Sequence, residues 1–315
     1  MSPESLREML EKSAVSPYEE TLAFELLYAE EGASLKKITE KTVLAGKLPS
    51  QVAKEQYGLL MPDIFDEIEQ VVDSKIGRLS VAVNNTPTWP EKLSDSERPT
   101  PLFYYYGNIG LMESRSVSIV GSRKASDAGL ARAKKMARRM ASAGIAVVSG
   151  LAKGIDTAAM TAAVDAGGHV IGVIGTPIDE CYPKENRELQ EVVATDHLLV
   201  SQVPFYRYLK QPFKTKKYYF PERNELMAAI SDATIIIEAS DTSGTLTQAR
   251  ACMHQGRKLF ILRSCYENDT VTWPKKWAER ENVYVVDSSE AIVSVLYGEE
   301  ATDHARRGEK LDVHR

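Results

Sequence analysis

Three stretches of sequence decide the fold: SIVGSRKASDAG at residues 118–129, VVSGLAKGIDTAA at 147–159 and IIIEASDTSGTLTQA at 235–249. Each is a short apolar run followed by a glycine-containing loop and the start of a helix. In a parallel sheet such loops gather at the carboxyl ends of the strands, where backbone N–H groups and helix N-termini favour anions. The pattern therefore predicts a ligand that carries phosphate.

The surrounding sequence alternates β-branched runs with helical stretches. SVSIVG, IAVVSG, HVIGVIG, ATIIIEA, KLFIL and VYVVD have the composition of buried strands, and LARAKKMARRMASAG, IDTAAMTAAVDAG and TLTQARACMHQG separate several of them as helices. Such alternation is typical of right-handed βαβ units. We predict an α/β fold, an extended Rossmann-like doubly wound parallel sheet.

The sequence before the sheet has a different character. TLAFELLYAEE and PDIFDEIEQVVDSK place apolar residues at helical spacing, which predicts a small helical domain over residues 1–80. The stretch 81–113 is rich in proline and polar residues and is expected to be a linker or extension that packs on the core. The Rossmann-like core is assigned to 114–298 and a disordered tail to 299–315, because the tail has almost no apolar residues.

Composition excludes several classes of protein. The cysteines Cys181, Cys252 and Cys265 lie far apart without CxxC spacing, which disfavours a disulfide framework and a zinc site. No apolar run has the length of a membrane span, and MSPESLREMLEKS alternates charges where a signal peptide is apolar. We expect a cytoplasmic protein with no metal, no cofactor and no membrane partner.

Charge is distributed unevenly along the chain. The net charge is −5, but residues 1–76 hold 15 acidic and 8 basic side chains. Between residues 121 and 140, seven Arg and Lys residues face only one acid, Asp127. The acidic balance argues against a general nucleic-acid binder, whereas this local positive patch permits an anionic ligand. For the basic helix ARAKKMARRMA, a solvated helix face is the favoured explanation of the charges.

The three loops supply groups that suit phosphate. Glycine at a strand end lets the backbone approach a ligand closely, and arginine binds phosphate bidentately. Hydroxyl groups and amides of the third loop add further donors. The candidate residues are Gly121, Ser122, Arg123 and Lys124 in the first loop, Gly150, Lys153 and Gly154 in the second, and Ser243, Gly244 and Thr245 in the third.

A basic and aromatic segment, PFKTKKYYFPERN at residues 212–224, lies between the second and third loops. Lys216 and Lys217 would neutralise phosphates while the aromatic rings stack on bases, and Arg223 and Asn224 follow directly. This composition suits a single nucleic-acid strand. A solvated basic loop anchored by core aromatics explains it equally well.

Several motifs in order resemble the DprA/Smf family of bacterial DNA-processing proteins. They are TWPEKL, PLFYYYGN, IVGSRKASDAG, VVSGLAKGIDTAA, YPKEN, FPERN, and IIEASDTSGTLTQA with GRKLFIL, spread over residues 88–262. The resemblance implies an extended Rossmann fold that binds single-stranded DNA, forms a homodimer and loads a RecA-type recombinase during natural transformation. It also implies that Ser122, Arg123, Gly150, Lys153, Arg223 and Asn224 hold the DNA phosphates.

The chain departs from the family pattern at two positions and at its end. Met160 stands where the family usually has histidine, and Glu225 stands where a second arginine usually follows FPxRN. A carboxylate beside a phosphate site repels the ligand unless it points away or pairs with Arg223. No C-terminal winged-helix module is expected, because only a polar tail follows Tyr297.

These observations leave three hypotheses. The leading one is a non-enzymatic single-stranded DNA-binding protein of DNA processing. The alternative is a nucleotide-binding or nucleotide-sensing protein of the LOG-like class, with Gln248 at the position where those enzymes carry a catalytic glutamate. Because glutamine cannot take a proton, hydrolysis by that route is disfavoured. The third is an interaction module whose core has lost its ligand.

Overall fold

The structure is a computed structural model that describes residues 15–58, 62–77 and 79–307. Its helices are α1 (Pro17–Ala29), α2 (Leu35–Lys41), α3 (Pro49–Tyr57), α4 (Phe65–Asp73), α5 (Asp127–Ser142), α6 (Ile155–Asp165), α7 (Arg187–Asp196), α8 (Phe205–Lys210), α9 (Tyr219–Ile230), α10 (Thr245–His254), α11 (Arg263–Tyr266), α12 (Trp273–Trp277) and α13 (Ser289–Arg307). Its strands are β1 (Ser80–Val83), β2 (Leu102–Gly107), β3 (Ser116–Val120), β4 (Ala146–Ser149), β5 (Val170–Ile174), β6 (Leu198–Ser201), β7 (Ala233–Ile236), β8 (Lys258–Leu262) and β9 (Val283–Val286). Short 3-10 turns lie at Val43–Ala45, Glu91–Leu93, Ile109–Glu113, Lys184–Asn186 and Phe213–Tyr218.

The chain divides into two compact units. The first holds the residues up to Trp89 together with Thr100–Phe103 and Pro204–Lys210. The second holds Pro90–Pro99, Tyr104–Val203 and the chain from Gln211 onward. The predicted domain boundaries at residues 80, 113 and 298 stay predictions.

The first unit has a helical core. Helices α1, α3 and α4 bury apolar side chains against one another and against Tyr206 of α8, and Leu26 and Ile68 are almost fully buried. The Glu25 carboxylate is fully buried and accepts hydrogen bonds from the backbone N–H groups of Phe205 and Tyr206, at 2.8 and 3.0 Å. A carboxylate at the first turn of a helix satisfies free N–H groups and favours the helix dipole, so Glu25 holds the start of α8 in this unit.

The second unit is built on the sheet. Eight of the sheet's nine described strands lie mostly or wholly in this unit, in the order β2-β6-β5-β4-β3-β7-β8-β9. All neighbours from β6 to β9 are parallel, and β2 pairs antiparallel with β6. The central strands are buried along their whole length, as expected for a sheet covered on both faces.

The strand order makes the sheet doubly wound. From β3 in the middle, the chain proceeds outward through β4, β5 and β6 and then returns to the other side of β3 for β7, β8 and β9. The loops after β3 and β7 therefore leave the same sheet edge in opposite directions. Such a topological switch point opens a crevice at the carboxyl ends of the strands.

The predicted fold class is confirmed, including the small helical domain and the strands quoted above. Three strands arise where the sequence did not indicate them. The first, β1, lies where the predicted helical domain meets the predicted linker. β2 lies in the predicted linker and contains the aromatic run of residues 103–106. It forms a strand because it pairs with β6, with Tyr104 opposite Ser201. β6 itself was not predicted, because its apolar run, at residues 198–200, is only three residues long.

The end of the chain also differs from the prediction. Residues 299–307 continue as helix in α13 beyond a kink at Gly298, where φ is 87°. Ala301 and Thr302 are buried, so this segment has packing contacts that the polar composition did not indicate. Residues 308–315, and the first 14 residues of the predicted helical domain, lie outside the described residues.

Among the described residues, none of the helices combines the length and apolar character that crossing a membrane requires.

A mostly buried ion pair, with side chains 14% and 25% exposed, anchors the Pro90–Pro99 segment within the second unit. The Lys92 ammonium lies 2.7 Å from the Asp232 carboxylate and donates to the Ser114 carbonyl. Asp232 also accepts from the Tyr297 hydroxyl at 2.6 Å and from the Ser116 N–H at 2.9 Å. Burial lowers the pKa of Lys92, and the attraction of Asp232 opposes that shift. The carboxylate therefore compensates a desolvated positive charge.

We expect Asp232→Ala to lower the free energy of unfolding by about 3 kcal/mol, because it leaves the buried Lys92 charge without its partner. Asp95→Ala is the matched control. It removes an ion pair with Arg257 in which the Asp95 side chain is 65% exposed, and should cost less than about 1 kcal/mol. Chemical denaturation monitored by circular dichroism measures both, and equal losses would contradict the role assigned to Asp232.

Candidate functional site

A cavity of about 620 Å³ lies in the second unit at the switch point of the sheet. The first and third loops form much of its wall, and the beginning of α9 forms another part. Nine of the predicted site residues line it: Gly121, Ser122, Arg123, Lys124, Arg223, Asn224, Ser243, Gly244 and Thr245. The structure thus brings together residues that lie more than 120 positions apart in sequence.

Glu238, at the end of β7, holds the first loop in place. Its backbone carbonyl accepts from the Ser122 N–H at 2.7 Å. Its carboxylate accepts from the Ser126 N–H at 2.9 Å and from the Ser126 hydroxyl at 2.5 Å. Ser126 in turn caps α5 by accepting from the Gly129 N–H at 3.0 Å. The β7 end therefore sets both the loop and the start of the helix.

The second loop supports the first through a glycine. Gly154 has φ +86° and ψ −120°, a backbone conformation that is essentially restricted to glycine. A Cβ atom at this position would also collide with the Ser122 carbonyl oxygen. Gly154 therefore lets the second loop lie directly against the backbone of the first.

Gly150 makes room for Arg223 in the same way. A Cβ at Gly150 would occupy the position of the Arg223 guanidinium, which donates to the Val173 carbonyl at 2.6 Å. Asp156 accepts from the Gly150 N–H at 3.1 Å and is almost fully buried. Its carboxylate acts as an acceptor for the second loop.

The charges around Arg223 favour an anion. Burial lowers the pKa of Arg223 to about 10, Asp156 opposes this shift and the positive charge of Arg123 adds to it. Burial likewise raises the pKa of Asp156, while Arg223 acts in the opposite direction. Because Arg123 and Arg223 repel each other, an anion bound between them would stabilise both charges.

Arg123 and Lys124 are the accessible cations of the cavity. Both side chains are exposed, and within the described ranges neither makes an ion pair. The Lys124 N–H donates to the Ser122 hydroxyl at 3.1 Å, which closes a tight turn at the start of the loop. Both charges are thus available to a ligand at the carboxyl end of β3.

The third loop contributes hydroxyl groups and the start of a helix. The Ser243 hydroxyl donates to that of Thr245 at 2.9 Å and accepts from the Thr245 N–H at 3.2 Å. Thr245 begins α10, so the free N–H groups of the first helical turn face this region. A Cβ on Gly244 would meet no atom within 4 Å, so this glycine is not required for packing.

The remaining predicted residues do not line the cavity. Gly150 and Gly154 support it from behind, as described above. Lys153 is exposed and lies 3.3 Å from the Glu185 carboxylate. Lys216 and Lys217 lie in the 3-10 turn that leads into α9, and the Lys217 ammonium lies 5.4 Å from the centre of the Tyr218 ring. Ligand binding by these side chains stays a prediction.

The two departures from the family pattern have distinct surroundings. Met160 is fully buried in α6. Glu225 pairs with Arg98 at 3.0 Å, with its side chain 16% exposed, and it is not among the residues that line the cavity. Its carboxylate thus points away from the cavity, although its partner is Arg98 and not Arg223.

Several lining residues were not predicted. Phe220, Pro221 and Met227 provide an apolar wall, and Ser240 and Thr247 add hydroxyl groups. Phe220 belongs to the basic and aromatic segment whose rings were expected to stack on bases, but neither Phe220 nor Pro221 was among the predicted site residues. Gln248 also lines the cavity and is buried, and its side-chain carbonyl oxygen has no hydrogen-bond partner.

Among the described residues, no group of three or more His, Cys, Asp and Glu side chains could hold a metal ion.

The fold and the cavity define a class: a Rossmann-like α/β protein with a crevice lined by cations and hydroxyl groups at the switch point of its sheet. A family model described as DNA recombination-mediator protein A matches residues 80–296, more than half of the chain. This chain therefore belongs to the DNA recombination-mediator protein A family, also called DprA or Smf. DNA processing protein DprA of Streptococcus pneumoniae is 38% identical over 174 residues, which are 55% of this chain and 59% of the relative.

Solved structures give the same result for the fold. An X-ray structure of DNA processing protein A from S. pneumoniae is 28% identical, with a TM-score of 0.68, and the match covers 90% of this chain and 98% of that one. A structure of DNA processing protein A from Helicobacter pylori, described for the single-stranded DNA binding mode of that protein, is 24% identical with a TM-score of 0.58. That match covers 69% of this chain and 95% of the other, and it supports the fold alone.

We expect Gly154→Ala to displace the first loop, because the added Cβ meets the Ser122 carbonyl and the backbone conformation is strained. Gly167→Ala is the matched control: Gly167 also has positive φ, +70°, but a Cβ there meets nothing within 4 Å. The control should cost only about 1–2 kcal/mol of backbone strain. Hydrogen exchange of residues 121–126 should rise in Gly154→Ala and stay unchanged in Gly167→Ala.

Proposed function

We propose that this protein binds single-stranded DNA at the switch-point cavity and acts as a non-enzymatic DNA-processing protein. The observation that carries the proposal is the convergence of Arg123, Lys124 and Arg223 with the N–H and hydroxyl groups of two loops. Charge-assisted hydrogen bonds from such donors bind phosphate strongly. The overall net charge of −5 disfavours general attraction to nucleic acid, so binding depends on this local site.

The size and the walls of the cavity support a nucleotide strand over a free phosphate ion. At about 620 Å³ the cavity falls in the range of pockets that hold whole organic ligands. One wall carries cations and hydroxyl groups, whereas Phe220, Pro221 and Met227 form an apolar wall. A ligand that combines phosphate with a flat base matches both walls.

The turn before α9 supports an unpaired strand. Phe213 is 84% exposed and Tyr218 is 64% exposed, and Lys217 stands beside the Tyr218 ring. Exposed rings next to cations suit bases that are free to stack, at about 1–3 kcal/mol for each base. Bases in a duplex are already stacked on one another, so these rings favour a single strand.

We infer that binding occurs without catalysis. Gln248 occupies the position of the glutamate in the nucleotide-hydrolysing class, and its buried amide cannot act as a general base. Partnership with a RecA-type recombinase, a homodimer, a cytoplasmic location and a role in natural transformation are proposals that rest on membership of the family. The S. pneumoniae relative is matched over 59% of its length, so these activities of the whole relative are carried over only as proposals.

We expect Arg123→Ala to weaken binding of a labelled oligothymidylate of about 16 nucleotides roughly tenfold and to reduce the salt slope of log K by about 0.7, the loss of one phosphate contact. Arg138→Ala is the control, since Arg138 is an exposed cation of α5 that does not line the cavity. Fluorescence anisotropy at several salt concentrations measures both variants. Equal binding by the two variants would contradict the assignment of Arg123.

Arg223→Ala should abolish binding, but it also removes a buried hydrogen bond to Val173 and should lower stability. The denaturation curve of Arg223→Ala must therefore be measured as well, to show that the variant is folded under the conditions of the binding assay. If the wild-type protein binds no oligonucleotide even at low salt, the proposal fails. Mononucleotides should then be tested against the same cavity for the alternative of nucleotide sensing.

A further inference from the structure

A second pair of cavities lies at the same edge of the sheet, beyond the ends of β8 and β9. Their volumes are about 310 and 250 Å³, and Arg132, Leu262 and Asp287 line both. We call the two together the α5 groove, because α5 forms one wall and the segments after β8 and β9 form the other. Its further lining residues include Lys135, Arg139, Arg263, Glu267, Ser289 and Glu290.

One face of α5 supplies three cations to the groove. Arg132, Lys135 and Arg139 are spaced by three and four residues, which places them on the same side of the helix. Within the part of the chain that the structure describes, none of the three makes an ion pair within 4 Å. The Arg132 Nε atom is buried and has no hydrogen-bond partner.

Two of the three acidic residues of the groove, Asp287 and Glu290, already have local partners. Asp287 pairs with Arg263, and both Asp287 and Glu267 hold the pKa of Arg263 above its usual value. Glu290 accepts from the Ser289 hydroxyl at 3.1 Å, and its pKa is lowered mainly by a hydrogen bond from its own N–H, with a smaller contribution from Arg139. Four cations face three carboxylates, so the groove retains a positive balance on its α5 side.

The groove and the switch-point cavity share one edge of the sheet. The cavity lies at the ends of β3 and β7, and β8 and β9 follow in the sheet order. Neighbouring strands are about 4.8 Å apart, so β9 lies roughly 14 Å from β3. Helix α5 begins beside the cavity and carries its basic face from there into the groove. A flexible polyanion held in the cavity reaches this distance within a few nucleotides.

We propose that the α5 groove binds backbone phosphates of the same DNA strand that enters the switch-point cavity, so that the strand leaves the cavity along the basic face of α5 toward the segments that follow β8 and β9. The proposal rests on the proposed function. It assigns Lys135 and Arg139 a role in DNA binding. The sequence alone favoured a solvated helix face as the explanation of these two charges.

The test compares two double variants of α5. Lys135→Ala/Arg139→Ala removes two cations that line the groove, and Lys134→Ala/Arg138→Ala removes two that line neither cavity. The pairs have the same residue types, the same i, i+4 spacing and the same exposed class, so the change in net charge is identical. Each variant is measured by anisotropy with oligothymidylates of about 4 and about 16 nucleotides at several salt concentrations.

The expected result is that Lys135→Ala/Arg139→Ala weakens binding of the longer strand roughly tenfold, with the salt slope reduced by about 1.4, and leaves the shorter strand unaffected. The control pair should change neither strand by more than about twofold, because its exposed side chains line none of the cavities and salt screens their charges. Equal effects of the two pairs on the longer strand, or equal weakening of both strands by the groove pair, would overturn the proposal. If the wild-type protein binds neither strand, the proposed function itself fails.

Discussion

The close approach of the first two loops at the switch point is the constraint on which the site depends. Gly154 lies against the Ser122 carbonyl, and Gly150 lies against the Arg223 guanidinium, in contacts that no side chain larger than hydrogen permits. Glu238 then ties the first loop to the end of β7 through three hydrogen bonds. Three segments that are distant in sequence thereby form one wall, and the cations they carry reach a common space.

Burial gives the arginines of this wall different properties. Arg223 is held by Val173 and Asn224, with Asp156 as its nearby negative charge, and it acts as a fixed positive centre. Arg123 and Lys124 are exposed and adapt to the ligand. A fixed charge costs no further ordering when the ligand binds, whereas mobile side chains lose rotamer freedom. The cavity combines a preorganised centre with adaptable contacts, an arrangement suited to a flexible strand.

An acidic protein can bind an anion because the electrostatic field near a site is set by the nearest charges. Residues 1–76 carry much of the negative charge, while α5 and the loop before it carry a dense positive run. Exposed charges farther apart than about 8–10 Å are largely screened at physiological salt. The local balance of the sheet edge therefore matters more for a phosphate than the net charge of the chain.

The sequence by itself determined the doubly wound sheet and the participation of the three loops, because strand runs, glycines and helix starts are local signals. It also identified Arg123, Lys124 and Arg223, whose types and motifs are visible without a structure. Only the tertiary structure decided that Glu225 turns to Arg98, that Lys153 pairs with Glu185, and that β2 extends the sheet. Only the tertiary structure showed that Lys135 and Arg139 line the α5 groove and that Lys134 and Arg138 do not. Partner choice and burial arise from contacts between distant segments, and those contacts do not exist until the chain has folded.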